Sequence, residues 1–325
     1  MSNSGIFFGG FLHRIWLQVL FSIFLLNAQF AASAEVINKL VVPFPVGGSF
    51  DQLARALVPE LSARTGQTYI VENRPGAEGM NAIHYVQQHS GKGQTLLLGA
   101  SFLSTGQMTG LFKFDLFSAF KPVIQIGEFE TLLVTKASGP IVDISFLRDQ
   151  YSLSGQPMSC GAAIGQFVWA CELMPAAFPK QWVAAPFPGE PQVIHSLLGG
   201  HVDVAIMTRT SAHDLIKTGQ LRVLASAGST PAQPPLDHYP LLKTFVPDLE
   251  LSSYIGLFVN ASEDDAQIKN LNSIINEILK SHSFSRRMDA ANIRLMGGDS
   301  SVMRENLIKH VNRLKRWRSQ SVQSR

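Results

Sequence analysis

The chain has 325 residues, 46% of them hydrophobic and 16% charged, with 26 Gly and 17 Pro. That is enough apolar material for one large α/β domain or two linked medium ones, and it excludes long-range disorder. A net charge of +3 without a basic tract in the body of the chain argues against nucleic acid as the main partner, and two cysteines exclude a disulfide-stapled miniprotein or a four-cysteine zinc site.

The first 14 residues end in His13-Arg14, and an apolar stretch from Ile15 to Leu26 follows, broken only by Gln18 and Ser22. Ala31-Ala32-Ser33-Ala34 then supplies an A-x-A cleavage site, so residues 1–34 read as a secretory signal peptide. The apolar run falls short of the roughly 20 residues that a membrane anchor needs. No cysteine sits at the junction, which removes a lipoprotein. The mature chain is expected to begin near Glu35, outside the cytoplasmic membrane, where ATP and NAD(P)H pools are absent and nucleotide-dependent enzymes are disfavoured.

In the mature chain, residues 39–44 form a β-rich run ending in Pro45-Val46-Gly47-Gly48-Ser49, and apolar residues at 53, 54, 57, 58 and 61 predict a helix. The Gly-Gly turn therefore lies at a helix N-terminus, where backbone N–H groups and the helix dipole favour an anion. Ser49 and Asp51 are the candidate N-caps; the plainer reading is a βα turn with glycines for geometry. A strand over 67–72, the turn-rich loop 73–79, a helix over 80–88 and a strand over 95–99 continue the alternation. This β-α-β-α-β order predicts a mostly parallel sheet with helices on both faces and ligands at the carboxyl ends of its strands. Further strands are predicted at 131–135, 157–160, 182–187, 202–207, 221–227 and 253–259, with helices at 166–174, 264–281 and 301–318. Residues 231–240 are a Pro-rich loop.

Catalytic signatures are missing. The nine histidines make neither H-x-H nor H-E-x-x-H, and the chain has no G-x-S-x-G or P-loop. Gly91-Lys92-Gly93 begins like a dinucleotide fingerprint, but Leu96 breaks it and it precedes a strand. No metal, no cofactor and no enzymatic activity are expected. Cys160 and Cys171 admit two readings, a disulfide or two buried small apolar residues. With Cys160 ending a strand and Cys171 over a turn into the following helix, their separation threatens the limit of about 7 Å between Cα atoms. The basic residues Arg313, Lys315, Arg316 and Arg318 read as a solvated helix end, or as a docking surface.

Val41-Val42-Pro43-Phe44-Pro45-Val46-Gly47-Gly48-Ser49-Phe50-Asp51 resembles the V-V-P-F-x-x-G-G-x-x-D opening of Bug-type solute receptors, the extracytoplasmic receptors of tripartite tricarboxylate transporters. Residues 71–79 (VENRPGAEG), Leu197-Leu198-Gly199-Gly200-His201-Val202-Asp203 and residues 216–222 (IKTGQLR) are similar to later motifs of that family, in the same order. The resemblance runs from about 36 to 318. It implies a type II periplasmic binding protein fold: two α/β lobes joined by crossing strands, with a small ligand in the cleft between them. Lobe 1 is expected over 36–131 plus 253–318 and lobe 2 over 132–252. The resemblance also implies a small carboxylate as ligand, held by backbone amides and hydroxyls at the loop ends. The residues expected there are Phe44, Pro45, Val46, Gly47, Gly48, Ser49, Asp51 and Ser101 of lobe 1, and Ala162, Ala163, Ile164, Gly165, Phe187 and Thr208 of lobe 2. Membrane permease subunits are the implied partners of a monomeric receptor.

The second lobe departs from the family. Its hydroxyl-rich Y-A-S-A-G-x-G-S loop is replaced by Cys160-Gly161-Ala162-Ala163-Ile164-Gly165-Gln166, V-P-Y-K-G by Ala185-Pro186-Phe187-Pro188-Gly189, and a D-N pair by Met207-Thr208. Two expectations follow. In one, a carboxylate binds the 45–51 turn while an apolar tail faces Phe187, Ile164 and Trp169. In the other, Arg209 pairs with a distal carboxylate; otherwise Arg209 is a surface residue starting a helix. Beside transport, the sequence leaves open a receptor for a signalling partner and a receptor with altered or lost ligand binding.

Overall fold

Successive residues of the central strands belong to different cores. Leu40 and Val42 pack into one, and Val41 between them into another; Leu132 and Val134 separate from Leu133 in the same way. Side chains alternate across a strand, so sheets built from such runs are covered on both faces. The computed structural model describes residues 36–89, 93–149, 157–163, 165–176, 178, 182–247, 249–251 and 253–323. The signal-peptide expectation and Ile164 lie outside the described residues.

Strand β1 (Asn38–Val42) leads to α1 (Ser49–Thr65), β2 (Tyr69–Asn73), α2 (Met80–Gln88) and β3 (Thr95–Ala100). Helices α3 (Ser101–Thr109) and α4 (Leu116–Ala119) precede β4 (Phe120–Phe129), and β5 (Thr131–Lys136) follows after Glu130 alone. Next come α5 (Ile144–Asp149), β6 (Met158–Ala163), α6 (Gln166–Leu173), β7 (Trp182–Phe187), α7 (Glu190–Leu198), β8 (Val204–Thr208), α8 (Arg209–Lys217) and β9 (Leu221–Ser226). The chain closes with β10 (Ser253–Asn260), α9 (Asp265–Lys280), α10 (His282–Ala290), β11 (Ile293–Leu295) and α11 (Ser300–Gln323).

Two sheets result, ordered β11-β4-β10-β3-β1-β2 and β7-β6-β8-β5-β9. The expected parallel pairing holds for β2-β1-β3 and for β7-β6-β8. It stops at β10, which runs antiparallel to both β3 and β4, and at β5, which runs antiparallel to β8 and β9. These are the strands that link the sheets. The chain leaves the first sheet through β4-Glu130-β5 and returns into β10, where Ser253 pairs with Phe129. Leu251 just before it donates its N–H to the Ala227 carbonyl at 2.8 Å.

A third connection comes from α11. Its Met303 and Leu307 join the core that contains Leu97 and Phe258, while Leu314 and Trp317 are buried in the core beneath β6 and β8. The basic end of this helix is not simply solvated: Arg313 pairs with Glu250 at 2.6 Å, and Arg318 donates to the Met108 carbonyl at 3.2 Å.

Cys160 and Cys171 form a disulfide with Cα atoms 5.7 Å apart. The helix α6 folds back over its own strand, which returns Cys171 to a position above Cys160 and removes the distance objection. Closing a loop across 11 residues in the unfolded chain contributes about 3 kcal/mol in the chain-entropy model. The double variant Cys160→Ala/Cys171→Ala is therefore expected to lose about that much in urea denaturation. An equal midpoint for oxidised and reduced protein overturns the expectation.

Candidate functional site

The turn after β1 is organised by one buried carboxylate. Asp51, in the first turn of α1, accepts the Gly47 N–H and the Arg55 Nε–H through Oδ2, both at 2.9 Å, and the Asn73 amide through Oδ1 at 3.0 Å. Asn73, at the end of β2, also donates to the Phe44 carbonyl at 3.1 Å, so two separate sequence motifs hold one loop. Burial works against charge on Asp51, but Arg55, the Gly47 amide and Asn73 outweigh it and keep the carboxyl below its ordinary range. Gly47 has φ +87°, a conformation that favours glycine.

The N-cap of α1 is Gly48, and neither Ser49 nor Asp51 takes that place; no side chain caps the helix. Pro45, Val46, Gly47 and Gly48 are exposed, and Ser49 is half-buried. An uncapped helix start of this kind presents backbone N–H groups and the positive end of the dipole to solvent. Beneath it, Phe44 stacks on Phe50 with centroids 4.3 Å apart and meets Phe102 edge-on at 5.9 Å, while Phe50 meets Phe129 at 5.1 Å. Ser101 opens α3 next to this cluster, again with no side-chain cap on the helix.

On the second sheet, β6 ends at Ala163, and Gly165 (φ +97°) precedes α6 without a side-chain cap. A Cβ on Gly165 would lie 4.0 Å from the Thr105 hydroxyl of α3, so the carboxyl ends of β3 and β6 face one another. Three expected residues sit differently from the reading of the sequence. Ala162 is fully buried in the core beneath β6, so its side chain does not reach the strand-end surface. Phe187 packs over Gly161, where a Cβ would come within 3.3 Å of the ring, and joins the core around Val193 and Val202. Trp169 packs against the core beneath β6.

Thr208 is already engaged. It caps α8, its N–H donates to Glu190 Oε1 at 2.6 Å, and its hydroxyl donates to Glu190 Oε2 at 2.8 Å. The Ser211 hydroxyl donates to the same Oε2. Burial raises the Glu190 carboxyl above its ordinary pKa, against the pull of these three donors. Arg209 neither reaches a ligand position nor lies on the surface. Its side chain is 6% exposed, donating to Glu130 Oε2 at 2.7 Å and to the Gln233 and Pro234 carbonyls. Among the described residues, no group of three or more His, Cys, Asp or Glu could hold a metal ion.

The family model described as tripartite tricarboxylate transporter family receptor matches residues 53–319. The chain belongs to that family. As a member of this receptor family it is an extracytoplasmic solute receptor rather than an enzyme. Protein BugT of Bordetella pertussis is 28% identical over 254 residues, covering 75% of this chain and 76% of BugT. A Rhodopseudomonas palustris protein solved with adipate has a TM-score of 0.77 at 24% identity, covering 89% of this chain and 98% of the other. MatC from the same organism, with bound malate, has a TM-score of 0.72 at 22% identity, covering 87% and 99%. The receptor thus has the two-lobed α/β fold of periplasmic solute-binding proteins. Among the described residues, no helix is long and apolar enough to cross a membrane.

Reading the receptor's sequence missed Glu190. The residue sits 18 positions before Thr208, and nothing in Gly189-Glu190-Pro191-Gln192 distinguishes it from an ordinary acidic residue in a first helical turn. The available signal was indirect: Thr208 and Ser211 put two hydroxyls at a helix start, a place that attracts a carboxylate from the protein or from a ligand.

Proposed function

We propose that this receptor captures a small carboxylate between its lobes, holding it at the uncapped start of α1, and delivers it to the permease subunits of a tripartite transporter. The observation that carries this reading is the exposed, uncapped Gly47-Gly48-Ser49 helix start, with Asp51 already consumed by Gly47, Arg55 and Asn73. Relatives of the same fold solved with adipate and with malate support a carboxylate. In this reading Phe44 to Ser49 and Ser101 line the ligand from lobe 1 (36–131 plus 253–318). The backbone of Ala163 and Gly165 lines it from lobe 2 (132–252), after residues 1–34 have been removed on export to the periplasm.

Thermal shift of the mature protein against dicarboxylates, citrate, acidic amino acids and aromatic acids tests it, because a ligand that binds the folded state raises Tm by mass action. Gly48→Asp is the decisive variant. A Cβ at this position meets nothing closer than the Pro45 carbonyl at 3.6 Å, and φ is an ordinary −74°. The new carboxylate is expected to cap α1, raising stability by roughly a few tenths of a kcal/mol, while abolishing the Tm response to the acid. A Gly48→Asp protein that still responds removes the α1 site.

A further inference from the structure

Glu190 is half-buried at the start of α7. It has three donors and no cation: among the described residues, no Lys, Arg or His pairs with it, and its donors are the Thr208 N–H, the Thr208 hydroxyl and the Ser211 hydroxyl. Helices α7 and α8 both begin at the carboxyl edge of the second sheet, and both have residues in the same core. The carboxylate of Glu190 sits between their two starts. There it makes the contacts that a bound anion makes at a helix N-terminus: a backbone N–H, the capping hydroxyl and a second hydroxyl.

Three donors at the start of α8 are already taken. The Arg209 N–H is held by the Glu130 carbonyl at 2.7 Å, the Ser211 N–H by Thr208 Oγ1, and the Thr208 N–H by Glu190 itself. The strand order adds a second effect. Because β6 lies between β7 and β8, the bond from Glu190, just past β7, to Thr208, the last residue of β8, crosses the carboxyl end of β6. A ligand carboxylate reaching across to the uncapped start of α6 meets the Glu190 carboxyl there, already holding a backbone N–H and two hydroxyls. The first lobe is the reverse case, since its Asp51 is balanced by Arg55 and the start of α1 carries no side-chain cap.

We infer that Glu190 is a specificity-determining residue: by standing where a second ligand carboxylate would bind, it makes the receptor selective for monocarboxylates over dicarboxylates of the same skeleton. The inference rests on the carboxylate-receptor reading and deepens it. The first lobe takes the single carboxylate, and the second lobe presents its apolar loop and the Glu190 carboxyl to the rest of the ligand.

Isothermal titration with matched acids tests it, using hexanoate against adipate and benzoate against terephthalate on wild type, Glu190→Gln and Glu190→Ser. Gln keeps the shape of the side chain and cannot ionise, while Ser empties the position. Circular dichroism establishes that each variant is folded. In wild type the monoacid of a responding pair is expected to bind at least about tenfold more tightly than its diacid. Both variants are expected to gain about tenfold for the diacid with the monoacid little changed. A wild type that binds a diacid as tightly as its monoacid partner overturns the role of Glu190 while leaving the carboxylate reading intact. An unchanged ratio in both folded variants does the same. If none of the four acids binds wild type or variants, the carboxylate reading fails and the inference fails with it.

Discussion

Arg209→Met is expected to lower the unfolding free energy by about 3 kcal/mol, with no new ligand phenotype beyond the loss of folded protein. The reason lies in Glu130, the single residue between β4 and β5, whose side chain is 4% exposed. Its Oε2 receives Arg209 at 2.7 Å, and its Oε1 receives Arg294 at 2.9 Å and the Gln233 N–H at 2.6 Å. Removing one partner of a buried pair costs about 3–5 kcal/mol, because a charge is left in low dielectric. Arg294 remains, which puts the cost at the low end, although the Gln233 and Pro234 carbonyls lose a donor as well. In a Glu130→Gln background the charge is gone, and Arg209→Met is expected to cost about 1 kcal/mol, the scale of ordinary hydrogen bonds. Urea denaturation of the four proteins closes this cycle. A single-variant loss below about 1 kcal/mol would show that the crossover does not depend on the pair.

The cluster also shows what could be read in advance. Short apolar runs at 39–44, 95–99, 131–135 and 253–259 were legible as strands because turn residues bound them, and the glycine turn was legible as the start of α1. Strand β4 was not. Both of its faces are buried, so it lacks the alternation of a half-exposed strand, and it contains Pro122 and Gly127, which read as breakers. Gly127 is required by a neighbour distant in sequence, since a Cβ there would lie 2.3 Å from the Arg294 carbonyl. Helix α3 was hidden for a different reason: SFLSTGQMT has no charges, and its Ser104 and Thr105 are buried, so polarity does not mark the solvent face. Arg209 and Glu190 were visible as residues, but their roles depend on partners 79 and 18 positions away. Pairings of that kind are decided by packing and leave no local pattern.

Acidification is expected to weaken this protein well before its carboxylates are fully protonated, and His310 is the cause. The imidazole is 2% exposed on α11, with Nε2 2.9 Å from Gln166 Oε1 and the ring edge-on to Tyr254 at 5.5 Å. Its Nδ1 is buried with no hydrogen-bond partner among the described residues. Burial, and then the charge of Arg313 one turn away, lower its pKa to about 3. The imidazole therefore stays neutral in the folded protein, whereas in the unfolded chain it takes up a proton near its ordinary 6.5. Between these values the unfolded state binds the extra proton. Stability is thus complete above about pH 6.5 and falls as pH drops toward 3, by roughly 1.4 kcal/mol per unit. By pH 4 the loss from this one residue is on the order of 3 kcal/mol. His310→Gln retains an amide that can meet Gln166 but does not titrate, so its stability is expected to fall by that much less between pH 7 and pH 4. Comparing the two proteins subtracts the acid titration of Asp51 and Glu72, which is common to both. Parallel pH profiles for wild type and His310→Gln would remove His310 as the source. Gln166 opens α6 directly after Gly165, so the acid-sensitive contact also ties α11 to the loop that faces lobe 1. The same titration should therefore appear in hydrogen exchange at the start of α6 before the protein unfolds globally.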